Sequence, residues 1–289
     1  MSNPASHRLL WTLALIIVLG LIVAAYEVFA PGPMAFAGGK RVALGAYRED
    51  PSGVPAELKS GSLVERGEYL TRAADCVACH TAEDGVPFAG GRAFVLPFGT
   101  LYSTNITPDP ETGIGTYTDQ NFLEVMHQGV GPGNLRLYPA MPYTSYTYLS
   151  DADVLAIKAY LFSLKPVHAP APQNSLSFPF NQRALMGLWS AFFNPDQRYQ
   201  PNTERSAQWN RGAYLTEALA HCGECHTPRN LLFALNNRQK FGGEVQAGWR
   251  AYNISSDRDG GIGGWSDADL AHYLSSGHAD GRGTAADPM

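Results

Sequence analysis

The sequence predicts an all-α protein: two tandem copies of one small helical domain behind an N-terminal apolar helix. Three observations carry this reading. The chain opens on a long uncharged apolar run. A set of short motifs recurs once, at a nearly constant spacing. The segments between motifs either carry helical start signals or are rich in Gly, Pro, Asn and Asp.

At 289 residues the chain has room for about two domains. It is 45% apolar and 16% charged, enough to build a core and against wholesale disorder. The 30 glycines and 20 prolines point to long ordered loops between few regular elements. Net charge is −5 with five lysines, which disfavours nucleic acid as a partner because phosphate neutralisation needs a basic surface.

Residues 1–37 form the first segment. Leu9 to Ala25 is uncharged over 17 residues, about 26 Å as a helix and close to a membrane span. Arg8 before it and Glu27 after it orient the N-terminus inside and the body outside. Ala35-Phe36-Ala37 offers a small-x-small cleavage site, but the run exceeds the roughly 7–15 residues of a signal core, so length favours an uncleaved anchor. Either way the body of the protein is exported.

The repeat defines the rest. Arg66-Gly67-x-Tyr69-Leu70-Thr71 recurs as Arg211-Gly212-x-Tyr214-Leu215-Thr216, at an offset of 145. Cys76-x-x-Cys79-His80 recurs as Cys222-x-x-Cys225-His226, at 146. Asn105-Ile106, Gly113-Ile114-Gly115, Asp119 and Gly129 recur as Asn253-Ile254, Gly261-Ile262-Gly263, Asp267 and Gly277, at 148. Two homologous domains follow, at 60–165 and 206–289, joined by a connector at 166–205. In the first, residues 62–74, 119–128 and 151–164 read as helices, the last started by Ser150 with Asp153. In the second, residues 206–220 and 267–276 do, with Ser266 and Asp269 as a capping-box-like start. Residues 182–193 of the connector are apolar enough to form a helix packed across both domains.

Cys-x-x-Cys-His is the attachment signature of c-type haem. Two thiols on one turn add across the two vinyl groups, and the next residue lies under the iron to give an imidazole nitrogen. Other uses of paired cysteines fit less well. A zinc site would merge both pairs into one tetrahedron, but the pairs occupy equivalent places in two repeats. A thioredoxin-like pair needs a βαβ context, and disulfides would not require His80 and His226. The sixth iron ligand follows from the same arithmetic. Met141 lies 12 residues after Gly129 and Met289 lies 12 after Gly277, each beside a proline. Met126 and His127 map to Leu274 and Ser275, so they read as ordinary helix positions. Methionine over histidine raises the haem potential and closes the iron to small ligands, which suits electron transfer. The helix at 151–164 has no counterpart before Met289, so the sequence reads as a fragment whose second domain is incomplete.

The motifs resemble a known family: the multi-haem cytochrome c subunit of bacterial membrane-bound dehydrogenases acting on alcohols, aldehydes and gluconate. The similar stretches are Pro97-Phe98-Gly99-Thr100, residues Tyr102 to Asp109, Gly113-Ile114-Gly115, Leu137 to Tyr143, Asp153-Val154 through Ala159-Tyr160-Leu161, and Phe178-Pro179-Phe180. The resemblance implies tandem class I cytochrome c-like domains, with a third haem domain beyond Met289. It implies Cys76, Cys79, Cys222 and Cys225 as covalent haem attachments, His80 and His226 as proximal ligands, and Met141 and Met289 as distal ligands. It implies no substrate chemistry in this chain. Electrons would come from a catalytic dehydrogenase subunit and pass towards ubiquinone, at the periplasmic face of the inner membrane. The competing functions are a dihaem peroxidase-like enzyme, which needs an open iron, and an anchored cytochrome subunit of a terminal oxidase.

Overall fold

The computed structural model describes residues 4–29, 39–49, 51–246, 248–278 and 283–285. Gly39–Glu224 form one compact unit, and Cys225–Thr284 with the N-terminal segment form another.

Helix α1 (Pro4–Phe29) opens the chain. Its stretch His7–Tyr26 has a mean hydropathy of 2.6, is unburied, and is long and apolar enough to cross a membrane. A signal sequence carries the same signature.

In the first unit, α2 (Leu63–Ala73) starts at a complete capping box. Ser62 Oγ accepts from Glu65 N–H at 3.2 Å, and Glu65 Oε2 accepts from Ser62 N–H at 2.8 Å. A short turn, α3 (Cys76–Cys79), follows. Next come the strands β1 (Ala93–Leu96) and β2 (Gly99–Tyr102), then α4 (Asp119–Gln128) with a capping box at Thr118 and Asn121. Strands β3 (Val130–Gly131) and β4 (Leu135–Arg136) lead to α5 (Tyr143–Tyr146) and α6 (Asp151–Ser163). The core lies where α2, α4 and α6 meet, around Leu70, Phe122, Met126, Val154, Ile157 and Leu161. Gly67 is what lets α2 approach α6, because a methyl group there would overlap the Ala156 carbonyl.

Helix α6 departs from the simple capping expectation. Ser150 Oγ accepts from Asp153 N–H, but the Asp153 carboxylate does not reach back to the cap. It is 3% exposed and accepts three hydrogen bonds of 2.8 Å, from the Ser52 hydroxyl, the Gly53 N–H and the Tyr214 hydroxyl. Asp153 thus ties the residues before α2, the start of α6 and the second Tyr-Leu-Thr motif into one buried cluster.

The connector adds β5 (Ser175–Leu176), α7 (Ala184–Phe193) and α8 (Ala207–Tyr214). It lies along the first repeat: Phe180 stacks on Phe98 with ring centroids 4.0 Å apart. Trp189 meets Tyr143 edge-on, and Asn194 Nδ2 donates to His127 O at 2.8 Å. His127 is buried, with Nδ1 donating to the Tyr146 carbonyl and Nε2 facing Asp151. The turn α9 (Gly223–His226) spans the boundary of the two units. The second unit continues with β6 (Glu244–Gln246), β7 (Trp249–Ala251) and α10 (Asp267–Ser276), whose capping box is Ser266 with Asp269.

The all-α expectation is overturned. Among the described residues, three small antiparallel sheets stand beside the helices: β1-β2-β5, β3-β4 and β6-β7. Loops rich in glycine concealed them. Strands of two to four residues are too short to show a period-2 pattern, and β5 is recruited from the connector 73 residues after β2 ends. Gly99, at φ 132°, makes that pairing possible, since a side chain there would overlap the Ser175 carbonyl.

The helix expected over 206–220 is present, with a change of turn inside it. The α-helical part ends at Tyr214 and a π turn, Leu215–Leu219, follows. Ala220 N–H bonds the Leu215 carbonyl and Cys222 N–H bonds the Thr216 carbonyl. The repeat offset rises from 145 to 146 between Thr71/Thr216 and Cys76/Cys222. The π turn houses that extra residue, which lets both flanking motifs keep their geometry.

Candidate functional site

Each Cys-x-x-Cys-His motif forms a single helical turn entered through a left-handed residue. Asp75 has φ 54° before Cys76, and His221 has φ 39° before Cys222. Such a residue ends the preceding helix and redirects the chain, so the next turn starts on a new axis. His80 N–H bonds the Cys76 carbonyl at 2.9 Å, closing the first turn. None of the four cysteines is in a disulfide. Burial, with Cys79 and Asp75 adding repulsion, pushes the Cys76 thiol up to about 12. A thiol so disposed is not a reactive thiolate of the thioredoxin kind. Among the described residues no group of three or more His, Cys, Asp or Glu side chains is arranged to hold a metal ion.

The two histidines are fixed in the same way. His80 Nδ1 lies 2.7 Å from the Thr104 carbonyl, and His226 Nδ1 lies 2.6 Å from the Tyr252 carbonyl. A carbonyl only accepts, so Nδ1 carries the proton in each and Nε2 keeps its lone pair. Burial holds the His80 imidazole below its ordinary range despite that hydrogen bond, favouring the neutral form that ligates iron. Thr104 and Tyr252 are themselves 148 apart.

A matching frame surrounds each histidine. Thr81 Oγ1 accepts from Phe88 N–H at 3.2 Å, and Thr227 Oγ1 accepts from Phe241 N–H at 3.0 Å. Phe88 and Phe241 are both left-handed, at φ 66° and 61°. Gly90 N–H bonds the His80 carbonyl, and Gly243 N–H bonds the His226 carbonyl, each at 2.8 Å. Ile106 N–H bonds the Phe88 carbonyl as Ile254 N–H bonds that of Phe241. Sequence reasoning missed this frame. Its signal, Phe-x-Gly, recurs at an offset of 153, outside the 145–148 of the other motifs, because the loops on either side of it differ in length between the copies.

The loop bearing Met141 is held at both ends. Leu137 N–H bonds the Gly129 carbonyl at 2.8 Å, Met141 N–H bonds that of Tyr138 at 3.1 Å, and Tyr143 N–H bonds that of Met141 at 2.7 Å. Tyr143 is buried with its ring against Gly129, where any side chain would strike it. Gly129 itself sits at φ 64° as the end of α4. Met141 therefore stands on a short loop braced against the core. Met289, its expected counterpart, lies outside the described residues.

These residues fit a covalently bound haem. Two thiols are presented on one turn, and the next residue is an imidazole whose outer nitrogen is held by a main-chain carbonyl and whose inner nitrogen is available to iron. The arrangement defines a c-type haem protein. A cytochrome c family model matches residues 64–165. The chain is 48% identical over 232 residues to a nicotinate dehydrogenase subunit of Pseudomonas putida, covering 80% of this chain and 19% of that one. It is 46% identical over 229 residues to the fructose dehydrogenase cytochrome subunit of Gluconobacter japonicus, covering 78% and 47%. It is also 36% identical over 245 residues to a dihaem cytochrome c-type protein of Cereibacter sphaeroides, covering 81% of each. The chain belongs to the cytochrome c family, and so carries haem c. It spans about half, or less, of the length of the dehydrogenase subunits it matches.

Proposed function

We propose that the chain is a two-haem c-type electron carrier, and that it serves as the cytochrome subunit of a dehydrogenase complex. The single observation that carries the two-haem reading is the recurrence, in both copies, of a histidine locked through Nδ1 by a carbonyl directly after a Cys-x-x-Cys turn. Cys76 and Cys79 attach one haem, and Cys222 and Cys225 the other. His80 and His226 would supply the proximal ligands, and Met141 and Met289 the distal ones. The haem domains span 60–165 and 206–289, with 166–205 between them. A bound haem supplies reversible one-electron storage at its iron. The chain's own residues anchor the porphyrin edge, hold the imidazoles in the ligating tautomer and brace the methionine loop.

The complex-level reading draws on the names of the relatives. Those proteins are subunits of dehydrogenases for nicotinate and fructose, and further relatives bear the names gluconate 2-dehydrogenase and quinone-linked alcohol dehydrogenase cytochrome c subunit. This chain then receives electrons from a catalytic dehydrogenase subunit and passes them towards ubiquinone. Helix α1 anchors it to the inner membrane with both haem domains on the periplasmic face.

Spectra and haem staining of the matured full chain test the proposal. Cys76→Ala combined with Cys79→Ala should halve the covalent haem stain, and so should Cys222→Ala combined with Cys225→Ala. Carbon monoxide should leave the reduced spectrum of the native protein unchanged. Unaltered stain in either double variant refutes attachment there, and ready carbon monoxide binding would favour a peroxidase-like enzyme.

A further inference from the structure

We infer that Tyr146, with His221, is the contact through which the two haem-attachment turns communicate. The inference rests on the two-haem reading. Tyr146 is 4% exposed and stands in α5, directly after the Met141 loop. Its hydroxyl donates to the Ala74 carbonyl at 2.8 Å, two residues before Cys76. Its ring meets the His221 imidazole edge-on, with centroids 5.3 Å apart and planes at 73°. His221 is bonded directly to Cys222, and its Nδ1 donates to the Leu219 carbonyl at 3.1 Å, which fixes the ring.

The line from Cys76 to Cys222 therefore runs through Asp75 and Ala74, one hydrogen bond, the tyrosine ring, one ring contact and His221. Everything else along it is covalent. A second contact keeps these residues in place: the buried Glu224, between Cys222 and Cys225, accepts from Ser145 Oγ at 2.9 Å and Thr144 Oγ1 at 3.1 Å through its Oε1. Thr144, Ser145 and Tyr146 thus present one short helix to His221 and Glu224. The aromatic partner is peculiar to the second copy, since Asp75 fills the position of His221 in the first. The π turn ahead of His221 supplies the extra residue that separates its setting from that of Asp75.

Electron tunnelling weakens steeply across empty space and less across bonds and close contacts. With haem bound at both turns, this contact would couple the transfer of one electron from a reduced centre to an oxidised one. No bond forms or breaks and no proton moves. Tyr146 keeps its hydroxyl proton and is itself neither oxidised nor reduced. It acts as a positioning and coupling residue.

The test uses the full matured chain, partly reduced by a laser flash, and follows redistribution of the electron between the two haems. Haem stain and redox titration are measured on every sample. Tyr146→Leu and His221→Ala should each slow redistribution severalfold while both haems stay bound and both potentials hold. Tyr146→Phe keeps the ring contact and loses only the hydrogen bond, so it should fall between them and the wild type. If Tyr146→Leu fails to fold, the half-buried His221 still gives the answer through His221→Ala. Two bound haems with wild-type redistribution rates in the variants would overturn the inference. A wild-type chain binding fewer than two haems would instead overturn the reading beneath it.

Discussion

Replacing Met141 by alanine is expected to lower the potential of the first haem by on the order of 100 mV or more, with loss of its thioether-to-iron band near the red. A thioether stabilises ferrous over ferric iron, so removing it favours the oxidised form. The loop makes the substitution local. Its hydrogen bonds are main-chain ones, from Leu137, Met141 and Tyr143 N–H groups, and alanine keeps all of them. Tyr143 and Gly129 still brace the far end. Spectroelectrochemical titration of the full chain reads the shift, and on the two-haem proposal the other centre serves as the internal reference. An unchanged potential would remove Met141 as ligand. Met126 could not substitute for it without leaving the core, where it is 3% exposed.

Replacing Asp153 by alanine is expected to cost about 3–5 kcal/mol of stability, because three donors lose their acceptor at once and each unmet buried group costs roughly 1–3 kcal/mol. The Ser52 hydroxyl, Gly53 N–H and Tyr214 hydroxyl all converge on this one carboxylate. Tyr214 partly limits the damage, since its oxygen also accepts from Ser150 N–H at 2.9 Å. Denaturant unfolding of the full chain, followed by tyrosine and tryptophan fluorescence, measures the loss. A change below about 1 kcal/mol would mean that Asp153 is merely accommodated rather than holding α6, α8 and the residues before α2 together.

The parts of this molecule that could be read from the sequence are those whose signals are local. Helices α4 and α10 have the bounds that capping residues and glycine ends foretell, at Asp119–Gln128 and Asp267–Ser276. The two Cys-x-x-Cys-His motifs are legible as equivalent units, and each folds as one helical turn entered through a left-handed residue. What escaped depends on distant partners. The sheets pair strands too short to announce themselves, and β5 joins β2 across the chain. Asp153 looked like a capping residue because its spacing from Ser150 is right. Its carboxylate instead answers donors 61 and about 100 residues away. The Phe88 and Phe241 frame was hidden by unequal loops around a shared geometry.

The carbonyl that orients each histidine belongs to the main chain. Thr104 stands at one such position and Tyr252 at the other, yet both oxygens do the same work. Tautomer choice is thereby insulated from mutation: no side-chain replacement at either position deletes the acceptor. The two copies accordingly differ there, with a small polar residue in one and a large ring in the other, while each imidazole keeps the same carbonyl partner.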